Sequence, residues 1–266
     1  MMNTELLRRG LGAQRRGALI WGAALFVLTV SVVAIWPSMN ESGSLDTLVA
    51  DMSPTLISAL GLESLASPAG FLNGNLYALL LPLLFAALGI MHMNALTAGD
   101  EDAGRLELLV ALPVSRVSIY LSRFVSVVLV LAAVALLVGL TVGFGGAAFD
   151  MELDTMGVVA ATVNVFLLAL FHAALALALA GLGLRTGAVL AGSFGVLILG
   201  YLVYALFPLI ESLESVSKGS PWHWALGGQP LETGFDAAGT ALLICGTVVL
   251  TAVGLLAVRR RTIRTA

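Results

Sequence analysis

Ser193 and His172 are the first pair whose types could do chemistry, because a serine beside a histidine base can open a peptide bond. Intramembrane serine hydrolysis of the G-x-S-G kind needs glycine at fixed places around the nucleophile. The chain instead reads Ala-Gly-Ser-Phe-Gly over 191–195, so Ser193 is expected to be a small packing residue. A second chemistry is suggested by Asp100, Glu101 and Arg105, which imitate the E-E-x-x-x-R of membrane metalloproteases. No F-x-x-x-H motif follows to complete the metal site. His92, His172 and His223 lie in three separate regions and form no zinc set. Nucleotide hydrolysis needs G-x-x-x-x-G-K-[ST], whose lysine reaches the phosphates. Lys218 is the only lysine, in the context ESVSKGS. No catalytic residue, metal site or cofactor is therefore expected in this chain. The one cysteine, Cys245, excludes an intrachain disulfide and reads as a packing residue.

The elements that would position these residues are membrane spans. The 266 residues are 59% hydrophobic and only 11% charged, against roughly 25% charged in a soluble domain. Mean hydropathy is +1.01. A helix of about 20 apolar residues crosses about 30 Å of hydrocarbon. Six such runs occur: Ala18–Trp36, Asn75–Ala95, Phe124–Phe144, Met156–Leu182, Ala188–Phe207 and Ala237–Val258. They lack the alternation of barrel strands, so the fold is expected to be an all-α bundle, a single transmembrane domain over 1–266. Span 1 is longer than a signal-peptide core, with no clear cleavage site after it, and reads as a retained helix.

Arginine sets the orientation. Arg8, Arg9, Arg15 and Arg16 precede span 1. Arg105, Arg116 and Arg123 lie between spans 2 and 3, Arg185 between spans 4 and 5, and Arg259, Arg260, Arg261 and Arg264 at the end of span 6. All fall on one side, with Lys218 and most of the acids on the other. Both termini are expected to be cytoplasmic, in a multi-pass protein of the inner membrane. The net charge of −3 gives no reason to expect a nucleic-acid partner. The amphipathic stretch NTELLRRGLGAQRRG is either an interfacial helix or a basic flank that sets topology. The loop 37–74 has the composition for short interfacial helices. In the loop 208–236, Trp222 and Trp224 suit an aromatic belt at the headgroups, or a short re-entrant element. No inverted repeat of the secondary-transporter kind is visible.

Between spans 2 and 3 lies GDEDAGRLELLVALPVSR, residues 99–116. Thr97 could cap a helix whose first turn holds Asp100 and Glu101, and Glu101 and Arg105 are spaced i, i+4 for an ion pair. Leu106, Leu109 and Val110 share one face, and Pro113 should end the helix at Leu112. This short helix is led by acids, which suits a cytoplasmic protein groove better than anionic lipid. The stretch resembles the loop of type-2 ABC exporter permeases with the pattern E-x-x-G-x-L-E-x-L-L-x-x-P-V-S-R, filled here by Glu101, Gly104, Leu106, Glu107, Leu109, Pro113, Val114, Ser115 and Arg116. Arg105 stands where family members often have threonine. The resemblance implies a coupling helix that seats on a separate ATPase, with Glu101, Arg105, Glu107, Leu109, Pro113 and Arg116 as docking residues. It further implies two ATPase subunits holding ATP and Mg, and a second permease in a homodimer or heterodimer.

Polar and aromatic residues within spans are candidates for the substrate path. Spans 2 and 5 tend to line that path in the family, which favours Tyr77, Phe85, His92, Tyr201, Tyr204 and Phe207. Asn164 and His172 share one face of span 4. The plainer role for each is an interhelical hydrogen bond. No deep charged site is present, which suits an amphipathic, drug-like or lipid-like cargo. The alternatives are a six-span membrane protease and an ATP-independent channel or transporter. Gly139 and Gly143 in span 3, and Gly192, Gly195 and Gly200 in span 5, permit close helix packing.

Overall fold

Apolar runs with no internal partner in lipid must satisfy their own backbone, and only helices do so within one segment. The computed structural model describes residues 4–41, 67–105 and 114–260. It contains six helices long and apolar enough to cross a membrane, and no strand among the described residues. Capping fixes where three of these helices start, and for span 3 it does so eight residues ahead of the apolar run. Span 3 begins at Arg116 because the Ser115 hydroxyl accepts from the Ser118 N–H, and span 4 begins at Thr155 because Asp154 accepts from Gly157 N–H at 2.8 Å. Asp236 likewise accepts from Ala238 and Gly239 ahead of span 6, Ala237–Arg260.

Span 1 is one uninterrupted helix, Thr4–Glu41, about 57 Å long at 1.5 Å per residue. The amphipathic N-terminal stretch is thus the lower part of span 1 and not a separate interfacial helix. It packs on span 3: Leu6 is buried, and Gln14 Nε2 donates to Ser126 Oγ at 2.8 Å. Span 2 is composite. Pro68–Leu72 is α-helical, Asn73–Tyr77 is a π turn, and the α-helix resumes over Leu80–Leu96. The break precedes Pro82, which has no N–H to give the carbonyl of Ala78 and crowds it. The loop 42–66, where short interfacial helices were expected, lies outside the described residues.

Spans 2 and 4 are mostly buried, and span 4 (Thr155–Gly181) is the hub, packed against spans 2, 3 and 6. Gly89 allows the close approach of spans 2 and 4: an added Cβ would stand 2.9 Å from the Ala169 carbonyl oxygen and 3.3 Å from Ala173 Cβ. Backbone cannot yield as a side-chain tip can, so Gly89→Val is expected to destabilise by about 1–3 kcal/mol. Thermal unfolding in detergent, compared with Gly143→Val, checks this. Gly143 faces nothing within 4 Å, and its variant should unfold near the parent. Spans 1, 5 and 6 keep most of their surface outward. Cys245, expected to pack, is exposed on span 6.

At the acidic end, the segment between spans 5 (Thr186–Leu206) and 6 folds into short turns around the helix Pro221–Leu226. Trp222 is fully buried, and its Nε1–H donates to the Leu197 carbonyl of span 5 at 2.9 Å. It packs with Ala86 and Ile90 of span 2, Leu168 of span 4 and Leu243 of span 6. The belt expectation fails for Trp222 because its whole indole finds protein, including an acceptor for its N–H. Only Trp224, half-buried with Nε1 donating to Lys218 O, keeps a position near the rim.

Candidate functional site

The site begins where span 2 ends. Thr97 leaves helical geometry (φ −115°, ψ −91°), and its hydroxyl donates back to Met93 O at 2.6 Å instead of capping the next turn. One turn follows, Ala98–Asp102, and Gly104 at φ +69° then bends the chain in a conformation that glycine adopts freely. That bend takes Arg105 off the helical register. Its Nε meets Asp100 Oδ1 at 2.7 Å, not Glu101 as the i, i+4 spacing suggests.

Asp100 holds two arginines. Its Oδ2 accepts from Arg123 Nη2 at 2.7 Å, while Arg123 Nη1 donates to the Leu96 carbonyl in the last turn of span 2. The Arg123 side chain is only 8% exposed and the Arg105 side chain 62%. A charge-assisted pair of the first kind is held firmly, and one of the second is worth little. Asp102 Oδ2 accepts the Thr186 N–H at 2.9 Å, at the first residue of span 5. Arg185 precedes that helix without a side-chain cap, so Asp102 supplies the cap from another element. Segment 97–105 is thereby fastened to span 3 by Asp100 and to span 5 by Asp102.

Among the expected docking residues, Glu101 is buried, Arg105 is exposed and Arg116 is half-buried at the start of span 3. Glu107, Leu109 and Pro113 lie outside the described residues. The sequence reading missed Arg123 and Asp102. Arg123 served there only as a topology marker, because the apolar run begins after it at Phe124; the Ser115 cap places it inside the helix, where a buried arginine calls for a carboxylate.

Tyr77, Phe85, Asn164 and His172 are buried inside this chain. The Tyr77 and Thr162 hydroxyls lie 3.1 Å apart. Asn164 joins three elements: its Nδ2 donates to Ala225 O at 2.9 Å, and its Oδ1 accepts from Thr240 Oγ1 at 3.2 Å. His92 at the arginine-rich end packs against Gly17 of span 1. Tyr201 lies 5.0 Å from the Trp222 ring and Tyr204 6.3 Å from the His223 ring, with Phe207 half-buried one turn beyond. The buried Ser193 Oγ and His172 Nε2 both lack a hydrogen-bond partner among the described residues, so the two do not form a nucleophile–base pair. Among the described residues no three His, Cys, Asp or Glu side chains gather as metal ligands.

A cavity of about 700 Å³ opens between spans 3 and 4 toward the acidic end. Gly139 packs on Thr162, with an added Cβ 3.2 Å from Thr162 Cγ2, whereas Gly143 leaves open space. Both glycines line the groove, and Gly139 also packs on Thr162. The walls are apolar, with Phe144 and Phe166 along them and Glu152 at the rim. A lateral, apolar groove with one carboxylate can take an amphipathic molecule from the bilayer.

Residues 10–259 match the family described as multidrug efflux system permease Rv1217c, C-terminal domain. No curated protein matches the chain.

Proposed function

The chain belongs to the family of the multidrug efflux system permease Rv1217c, C-terminal domain, and from that premise we propose that it is the membrane subunit of an ATP-driven exporter of the type-2 ABC kind. It works with a separate ATPase that binds ATP and Mg, in two copies, and moves an amphipathic cargo across the inner membrane. Both termini and the loop between spans 2 and 3 face the cytoplasm in this reading. The observation that carries it is the fastening of segment 97–105 to spans 3 and 5 through Asp100–Arg123 and Asp102–Thr186. A loop that receives a push from a docked subunit must be tied to the helices it moves, and this one is tied to two. Charge patterning supports the same assignment: the arginines gather at the end where the loop sits.

A second six-span unit completes the path. The matching family is named for one domain of a permease, and span 5 presents Ile198, Leu199, Leu202 and Leu206 outward with no partner among the described residues. Either a second copy or another permease can cover that face.

The docking role predicts that Glu107→Arg inserts and folds as the parent does but fails to expel an amphipathic fluorescent dye from ATP-loaded vesicles. Dye efflux at the parental rate by this variant, at equal membrane level, would remove the docking role.

A further inference from the structure

At the arginine-rich end, spans 1 and 3 enclose a second groove of about 910 Å³ that no part of the transport reading uses. Its floor is cleared by small residues. Gly22 meets only Leu137 Cδ2, at 3.8 Å from an added Cβ, and Gly12 meets nothing within 4 Å. Ala18 and Ala133 extend it, and Phe26 closes its far end. Arg8 and Arg15 line the near end. They are seven residues apart on one helix and so share a face. Neighbouring Arg9 is paired with Glu5 at 3.1 Å, but no carboxylate lies within ion-pair distance of Arg8 or Arg15 among the described residues.

The dimensions and charges select the occupant. From Arg15 to Phe26 the groove runs eleven residues along span 1, about 16 Å, close to half of a hydrocarbon core of about 30 Å. It therefore reaches from headgroup level to about mid-bilayer. Its outer flank is apolar and exposed, with Leu19 on its wall and Ile20 beside it. An apolar slot one leaflet deep, ending at two cations with no carboxylate partner among the described residues, is complementary to an acyl chain that ends in a phosphate. We propose that this groove binds an anionic glycerophospholipid, with the phosphate held by Arg8 and Arg15 and one acyl chain laid over Gly22. The N-terminal part of span 1, packed on span 3, makes one wall of the slot. The proposal stands apart from the ATP-driven reading and survives if that reading fails.

The test is thermal unfolding of the purified full chain in a neutral detergent with added phosphatidylglycerol, phosphatidylcholine or inorganic phosphate. Phosphatidylglycerol should raise Tm by several degrees more than phosphatidylcholine, and phosphate alone should leave it unchanged. Arg8→Gln with Arg15→Gln should abolish the excess, whereas Arg16→Gln, outside the groove, should keep it. Gly22→Leu fills the floor without touching the charges and should also abolish it. Native mass spectrometry of parent and variants gives the bound-lipid count independently of Tm, including for a variant of lowered stability. Equal shifts by the two lipids would overturn the proposal. So would lipid selectivity retained by the double arginine variant, or a full shift from phosphate alone, which would mean a simple anion site.

Discussion

Asp100→Ala is expected to lower stability by about 3 kcal/mol and to abolish transport. The stability loss follows from what the substitution leaves behind. Arg123 is almost wholly buried and Asp100 is its only carboxylate partner among the described residues. Removing one member of a buried pair strands the other charge at a cost of about 3–5 kcal/mol. The Leu96 carbonyl still accepts from Arg123, so the lower end of that range applies. Arg105→Ala removes an exposed partner of the same carboxylate and should cost less than about 1 kcal/mol. The variant Asp100→Leu with Arg123→Met separates structure from coupling. Replacing both charges by apolar side chains should restore most of the stability, yet the loop would no longer be tied to span 3, and transport should stay lost. Thermal unfolding and vesicle efflux, measured on the same four proteins, check each part. Parental transport by the double variant would mean that Asp100–Arg123 is only a structural pair.

Trp222→Ala is expected to produce the largest loss of stability. The indole has no exposed surface, fills a space walled by four spans and bonds to the Leu197 carbonyl. Truncating a buried tryptophan costs about 3–5 kcal/mol through lost contacts and the cavity left behind. The Leu197 carbonyl keeps its place in span 5, so the lost hydrogen bond adds only about 1 kcal/mol. Trp222→Phe retains most of the volume and a tilted ring contact with Tyr201 but loses the donor, and should cost about 1–2 kcal/mol. The variants should unfold in the order parent, Phe, Ala, with the Ala protein also cut sooner by protease within 208–236. A Tm for Trp222→Ala within a degree of the parent would show that the helix Pro221–Leu226 is not seated in the bundle.

These two predictions rest on features that were legible to different degrees. The six spans were readable because a hydrocarbon core imposes a minimum apolar length, which few other sequences meet. Their ends were readable unevenly: spans 4 and 6 start within one residue of the apolar run, whereas the Ser115 cap starts span 3 eight residues ahead of it. The start of span 1 was missed for a related reason. An amphipathic, arginine-bearing stretch has the same composition whether it lies along the interface or stands against a neighbour, and only Gln14 meeting Ser126 decides between them. Trp222 shows the same degeneracy: Trp-His-Trp suits a belt or a plug, and the acceptor at Leu197 lies 25 residues away in sequence. At the loop after span 2, helical spacing pointed to Glu101 with Arg105. The left-handed Gly104 breaks the periodicity on which that inference depends, and the carboxylate used is Asp100. The contact to Thr186, 84 residues distant, leaves no local trace.

The central claim is that the loop between spans 2 and 3 is the handle by which a separate ATPase drives this permease. It is tested most directly by tagging the protein in its native host, extracting it in mild detergent and assaying the eluate for a Mg-dependent ATPase. The account predicts a stoichiometric ATPase that is lost from Glu107→Arg while the permease itself is recovered in full. A pure six-span protein without ATPase, under conditions that hold other membrane complexes together, would contradict it and favour an ATP-independent transporter.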